Sequence, residues 1–135
     1  MSSSASTSTA LRVFVLENHA DTLAFYRLYL REGGHTVAEA RTLQEAVVKL
    51  SADAPYDVLI SDLGLPDGSG LELPDRLRSR GAPVPRFAIA ISGYGTSADA
   101  AKSRAAGYRY HLVKPFEVEA LDTLLKEAHR ELASR

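Results

Sequence analysis

Four short polar stretches hold the side chains that could do chemistry: Glu17-Asn18, Asp62, Ser92 and Lys114. Each lies just after an apolar run, LRVFVL, VLI, FAIAI or YRYHLV. Short apolar runs bounded by turn residues suit strands buried on both faces. Asp62 is the most exposed to question. It ends its run and is followed by Gly64, Pro66, Asp67, Gly68, Ser69 and Gly70, so it stands where a buried strand meets a loop. A carboxylate there is costly to desolvate and needs a metal, a cation or water beside it. Two readings stand at this point. Asp62 is either a reactive or ligating group, or a strand-end aspartate that accepts hydrogen bonds from loop amides. Ser92 is likewise either a hydrogen-bonding site residue or a turn serine, and Lys114 either a fixed positive charge or a surface lysine with its stem on the protein.

Several chemistries are excluded. Ser92 sits in AISGY, which lacks the G-x-S-x-G elbow of a hydrolase nucleophile. Gly64, Gly68 and Gly70 form neither a G-x-G-x-x-G fingerprint nor a P-loop. The four histidines, at 19, 35, 111 and 129, show no metal-binding helix spacing. With no cysteine there are no disulfides, thiolate metal sites or thiol nucleophiles. A net charge of -1 implies no basic surface for nucleic acid. No apolar run reaches the ~20 residues of a membrane helix, and the Ser/Thr/Ala-rich start lacks the form of a signal peptide. The expectation is a cytoplasmic protein with no membrane association.

The elements that must position these groups are legible in order. Residues 1–10 read as a disordered tail or linker stub, and 11–133 as one domain. Strands are expected over 11–16, 35–40, 58–60, 87–91 and 108–113. Asp21 or a neighbour should cap a helix that carries Leu23, Tyr26 and Leu30 to about Arg31. Thr42 with Glu45 should form a capping box for a helix with Leu43, Ala46, Val47 and Leu50 on its buried stripe. A third helix runs from Gly70 to about Arg80, with Pro74 delaying or distorting its start. Ser97 caps a helix ended by Gly107, and the last helix buries Val118, Leu121, Leu124, Leu125, Ala128 and Leu132. Five strands alternating with five helices argue a parallel sheet covered on both faces. Right-handed crossovers then bring all strand ends to one edge, and that convergence favours a functional Asp62.

Four motifs in this order, LENHADT, DLGLPDGSG, ISGYG and HLVKPF, resemble the receiver (response-regulator) domain of two-component signalling over Leu11 to about Leu132. The resemblance implies a flavodoxin-like, doubly wound five-stranded sheet of order 2-1-3-4-5. It implies that Asp62 accepts a phosphoryl group from a phosphohistidine on a histidine kinase or histidine phosphotransfer protein. Lys114 would neutralise the phosphoryl oxygens, Ser92 would hydrogen-bond them, and the Lys114–Pro115 bond would be cis. Mg²⁺ would be held by Asp62, the Gly64 carbonyl, Asn18 or water, and water on Glu17. His111 stands where the family often has an aromatic switch residue, which would couple Ser92 to the face of helix 4, strand 5 and helix 5; the other reading is a half-buried histidine without that role. Gly64 and Tyr94 stand where the family tunes water access, so Tyr94 is expected to slow autohydrolysis. The only chemistry implied is self-phosphorylation and autodephosphorylation.

One residue departs from the pattern. Asn18 stands where the family places a second carboxylate, so Mg²⁺ affinity should be weakened rather than lost. The departure also supports an alternative, a degenerate receiver that binds proteins without phosphorylation. A third class, an α/β phosphatase or flavin protein, lacks its motifs here. The wording around Asp62 and His111 resembles hybrid-kinase receivers. Composition gives no oligomeric state.

Overall fold

The computed structural model describes residues 10–53, 55–93 and 97–133. Strands β1 (Arg12–Leu16), β2 (Thr36–Ala40), β3 (Val58–Asp62), β4 (Phe87–Ser92) and β5 (Tyr110–Val113) alternate with helices α1 (Ala20–Glu32), α2 (Leu43–Ala52), α3 (Leu73–Ser79), α4 (Ser97–Ala106) and α5 (Val118–Ala133). All five strands pair in parallel, in the spatial order β2-β1-β3-β4-β5. This is the doubly wound topology expected.

The central strands β1, β3 and β4 are mostly apolar because each of their faces has its own core. Val13, Val15, Val58, Ile60, Phe87, Ile89 and Ile91 point to the side covered by α1 and α5, where Leu23, Tyr26, Leu30, Leu121, Leu125 and Ala128 meet them. Phe14, Leu16, Leu59, Ala88 and Ala90 point to the other side, against Leu43, Ala46, Val47 and Leu50 of α2 and Leu73 and Leu77 of α3. The two-residue period of the strands thus divides one apolar run between two layers. The small Ala88 and Ala90 share their layer with the large Tyr108 ring.

Two local expectations are corrected. A side-chain cap at Asp21 or a neighbour is expected for helix α1; its N-cap is His19, two residues earlier, and makes no side-chain cap hydrogen bond. Thr42 does cap α2 by accepting from the Glu45 amide, but the Glu45 carboxylate accepts from the Arg41 amide, so the box is not closed on Thr42. A reciprocal box occurs instead at Ser69 and Glu72, opening a 3₁₀ turn, Gly70–Glu72. That turn precedes α3 because Pro74, near the first turn of the α-helix, has no N–H to lend it. The loop after β3 also holds a short antiparallel ribbon, Gly64–Leu65 against Gly68–Ser69. Among the described residues no helix is long and apolar enough to cross a membrane.

Candidate functional site

Parallel pairing delivers the four polar strand ends to one edge. Asp62 is the last residue of β3, in register with Ile91, and the Leu63 amide donates to the Ile91 carbonyl at 2.9 Å. Lys114 follows β5, and its amide donates to the Ser92 carbonyl at 2.8 Å. Glu17 follows β1, and its amide donates to the Ala40 carbonyl at 3.1 Å. The sheet hydrogen bonding therefore fixes all three backbones before any side-chain contact is made.

At this edge the side chains converge on a carboxylate pair. Asp62 is 6 % exposed and Glu17 1 %. Asp62 Oδ1 accepts from the Gly64 amide at 2.9 Å, and Oδ2 from Lys114 Nζ at 2.6 Å. Lys114 Nζ also lies 3.6 Å from Glu17 Oε1. Burial opposes the charge on Lys114, but Asp62 and Glu17 outweigh it and raise the ammonium pKa above its usual value. The Tyr26 phenol is held well above its ordinary pKa, first by burial and then by the charges of Glu17 and Asp62.

Glu17 Oε2 accepts from the His19 amide at 2.9 Å and lies 3.0 Å from His19 Nδ1. Its other oxygen, Oε1, is buried and accepts no hydrogen bond among the described residues, the Lys114 ammonium standing off at 3.6 Å. Buried carboxylate oxygens without a donor are costly, so this one marks a place where charge compensation is incomplete. One ligand atom each from Glu17, His19 and Asp62 lie within 4.8 Å of one another. Two carboxylates, an orphaned oxygen among them, make a donor set that suits a divalent cation.

The loop after Asp62 is held from beneath. A Cβ at Gly70 would stand 2.5 Å from the Asp62 carbonyl oxygen and 2.9 Å from Ser61 Oγ, so only glycine lets the chain return this close to the strand end. The Gly70 carbonyl accepts from the buried Tyr108 hydroxyl at 2.7 Å. At Gly64 the situation is reversed: among the described residues a Cβ there would meet only Asp62 Oδ1, at 3.9 Å, an ordinary contact distance.

Ser92 is buried, and its Oγ lies 2.6 Å from Nε2 of the half-buried His111. Asn18, next to Glu17 in the chain, is half-buried, and its backbone carbonyl accepts from the Arg41 guanidinium at 2.8 and 3.0 Å. The Lys114–Pro115 bond is cis. Tyr94 lies outside the described residues. Sequence reasoning thus named Glu17, Asn18, Asp62, Gly64, Ser92, His111 and Lys114, but it missed His19 and Tyr108. The signal for His19 was its place two residues after Glu17 in a strand-end loop, a spacing that no helical ligand pattern detects.

Residues 13–126 match the response regulator receiver domain family. The chain is 35 % identical over 117 residues to the two-component response regulator PhoP of Pseudomonas aeruginosa, covering 85 % of this chain and 50 % of that protein. It is 36 % identical over 119 residues to the KDP operon transcriptional regulatory protein KdpE of Escherichia coli, covering 87 % of this chain and 51 % of that one. The chain therefore spans about half the length of the curated relatives it matches. The receiver domain of the Francisella response regulator 1452 superposes with a TM-score of 0.81 over 90 % of this chain and 98 % of that one, at 20 % identity.

Proposed function

The chain belongs to the response regulator receiver family, and from that premise we propose that it works in a phosphorelay with Asp62 as the phosphoryl acceptor. The observation that carries the assignment is the position of Asp62: a buried carboxylate at the carboxyl edge, with one oxygen on the Gly64 amide and the other on Lys114. The donor is a phosphohistidine on a histidine kinase or phosphotransfer protein. An oxygen of Asp62 attacks phosphorus, the P–N bond breaks, its electron pair stays on the imidazole nitrogen, and that nitrogen takes a proton. Carboxylate nucleophiles need no general base, so the remaining work is positioning and charge neutralisation. Lys114 is one-third exposed and stands on Asp62 Oδ2, close enough to turn to an arriving phosphoryl oxygen.

Glu17, Asp62, the Asn18 amide oxygen and the Gly64 carbonyl, with water, would hold Mg²⁺. When bound, that ion supplies positive charge to the phosphoryl oxygens. Asn18 contributes a donor but no charge. A unit charge pair at close range is worth about 4 kcal/mol at an effective dielectric near 20, so affinity is reduced by a part of that. Asn18→Asp should tighten binding in a Mg²⁺ titration, and an unchanged titration would remove this explanation.

The Ser92–His111 contact carries the switch toward the face of α4, β5 and α5. A hydroxyl has one proton to donate. If Ser92 gives it to a phosphoryl oxygen, its own oxygen can only accept from His111, which must then carry a proton on Nε2. Phosphorylation should therefore fix the Nε2–H form, readable from ring ¹⁵N shifts; a ring unchanged on phosphorylation rules the coupling out. Tyr94 stands at a position that tunes water access in the family and is expected to slow hydrolysis of the acyl phosphate, so Tyr94→Ala should speed it.

The deciding experiment is the intact mass after incubation with acetyl phosphate, with and without Mg²⁺, for wild type and Asp62→Asn. A phosphoryl adduct that requires both Mg²⁺ and Asp62 is expected. If neither acetyl phosphate nor a phosphohistidine donor modifies the wild type, the chain is a phosphorylation-independent binding module and the acceptor reading fails.

A further inference from the structure

Resting on the acceptor reading above, we infer that His19 supplies an imidazole nitrogen to the cation held at Glu17 and Asp62, and that the site therefore selects Mn²⁺ or Co²⁺ over Mg²⁺. Two observations place His19 there, and a third concerns the site it would complete. Its Nδ1 lies 3.0 Å from Glu17 Oε2 and belongs, with Asp62, to a group of donor atoms within 4.8 Å of one another. Two adjacent ligands at right angles around an ion with bonds of about 2.1 Å stand about 3.0 Å apart, so this contact has the dimension of a shared coordination edge. The ring is also uncommitted to the helix it precedes. His19 is the N-cap residue of α1, yet its side chain makes no cap hydrogen bond, and it is 69 % exposed. The third observation is independent of His19. Glu17 is 1 % exposed and its Oε1 accepts no hydrogen bond among the described residues, its nearest cation being the Lys114 ammonium at 3.6 Å, which Asp62 holds more closely at 2.6 Å.

The selectivity follows from charge and donor type. Glu17 and Asp62 bring two negative charges and Lys114 one positive, leaving a net -1 around the ion. Asn18 adds none. Mg²⁺ depends on hard, charged oxygen donors, so a site of low charge holds it weakly. An imidazole adds little for Mg²⁺ but strengthens binding along the order from Mn²⁺ through Co²⁺ to Ni²⁺. Replacing a carboxylate by Asn18 and offering His19 from the next residue shifts the site in one direction. In the metal-free protein the same 3.0 Å contact is a hydrogen bond from Nδ1–H to Glu17. Ligation requires Nδ1 to give up that proton and leaves the ring proton on Nε2.

Mg²⁺, Mn²⁺ and Co²⁺ affinities should be measured by indicator displacement on wild type and His19→Ala, with ring ¹⁵N shifts of the wild type recorded during Zn²⁺ titration as a diamagnetic stand-in. His19→Ala is expected to weaken Mn²⁺ and Co²⁺ at least about tenfold while moving Mg²⁺ less than about twofold, the scale on which sites respond to the loss of an imidazole-supporting group. The His19 Nδ1 resonance should shift to the metal-bound range. Equal losses for all three ions, no loss, or an Nδ1 resonance unmoved by Zn²⁺ would each overturn the inference. Failure here is separable from failure of the acceptor reading. An Asp62-dependent phosphoryl adduct in the wild type with ion affinities indifferent to His19 sinks the ligand and keeps the acceptor. Absence of any adduct sinks the acceptor whatever the ion ratio.

Discussion

The two edges of the sheet treat their charges in opposite ways. At the amino edge, Asp57 accepts from the Arg12 amide at 2.7 Å, the Arg12 guanidinium donates to the Pro55 carbonyl and lies 4.4 Å over the Tyr56 ring, and His35 Nδ1 accepts from the Leu11 amide. These groups are satisfied by the protein itself. At the carboxyl edge two buried carboxylates share one lysine, and Glu17 Oε1 meets it only at 3.6 Å, beyond hydrogen-bond reach, with no other donor among the described residues. The same contrast recurs within one loop. Asp67, five residues after Asp62, accepts from the amides of Leu43 and Gln44 with its two oxygens and so pins the start of α2. Asp62 spends one oxygen on a backbone amide and the other on a side chain that can move. A carboxylate closed by backbone donors serves the fold; one closed by a mobile cation is available to a ligand.

The contrast can be broken most strongly at Gly70. Gly70→Ala puts a Cβ into the Asp62 carbonyl and should cost about 3 kcal/mol by overpacking, while displacing Asp62 enough to stop phosphoryl uptake. Denaturant unfolding and the acetyl phosphate mass shift check both parts; a stable, phosphorylated variant would mean the close approach is unimportant. Lys114→Met should cost about 2 kcal/mol, below the 3–5 kcal/mol of a fully buried broken pair because Lys114 is 34 % exposed. Millimolar Mg²⁺ should restore part of that loss in a thermal melt, since the ion replaces the missing charge. At the other edge Asp57→Asn should cost about 1 kcal/mol or less and show no response to Mg²⁺. A Mg²⁺ response there would erase the distinction between the edges.

Asp67 gives the smallest and most pH-specific test. The Gln44 and Leu43 amides lower its pKa below the ordinary carboxylate value. A lowered folded pKa means the stabilisation is fully present above the unfolded value of about 3.9 and is lost as pH falls through the folded value. The stability gap between wild type and Asp67→Asn should therefore be flat near neutral pH and close only in acid. A gap that closes between pH 6 and 8 would point to another group.

Much of this arrangement was readable from the chain. Four apolar runs and the β-formers Thr36 and Val37 marked the strands, and topology then placed Glu17, Asp62, Ser92 and Lys114 on one edge without any distance being known. What stayed hidden depends on contacts between residues remote in sequence. Asp67 and the α2 amides, or Tyr108 and Gly70, meet across 23 to 38 positions, and no periodicity encodes such a pair. The capping box was assigned to Thr42 and Glu45 by spacing, yet the same Ser/Thr-x-x-Glu spacing closes at Ser69 and Glu72 instead. The Arg41 amide, one residue earlier, captures Glu45 first. His19 was set aside because ligand spacing was sought on helices, whereas its neighbour Glu17 is two residues back in a loop.

The availability of the carboxyl edge is tested most directly by backbone amide NMR on adding Mg²⁺ and beryllofluoride, a tetrahedral mimic of a phosphoryl group. Shifts are expected at Gly64, Ser92, His111 and Lys114, with Arg12, His35 and Asp57 unmoved, and Asp62→Asn should abolish the response. Shifts that persist in Asp62→Asn, or that spread equally to the amino edge, would contradict Asp62 as the acceptor.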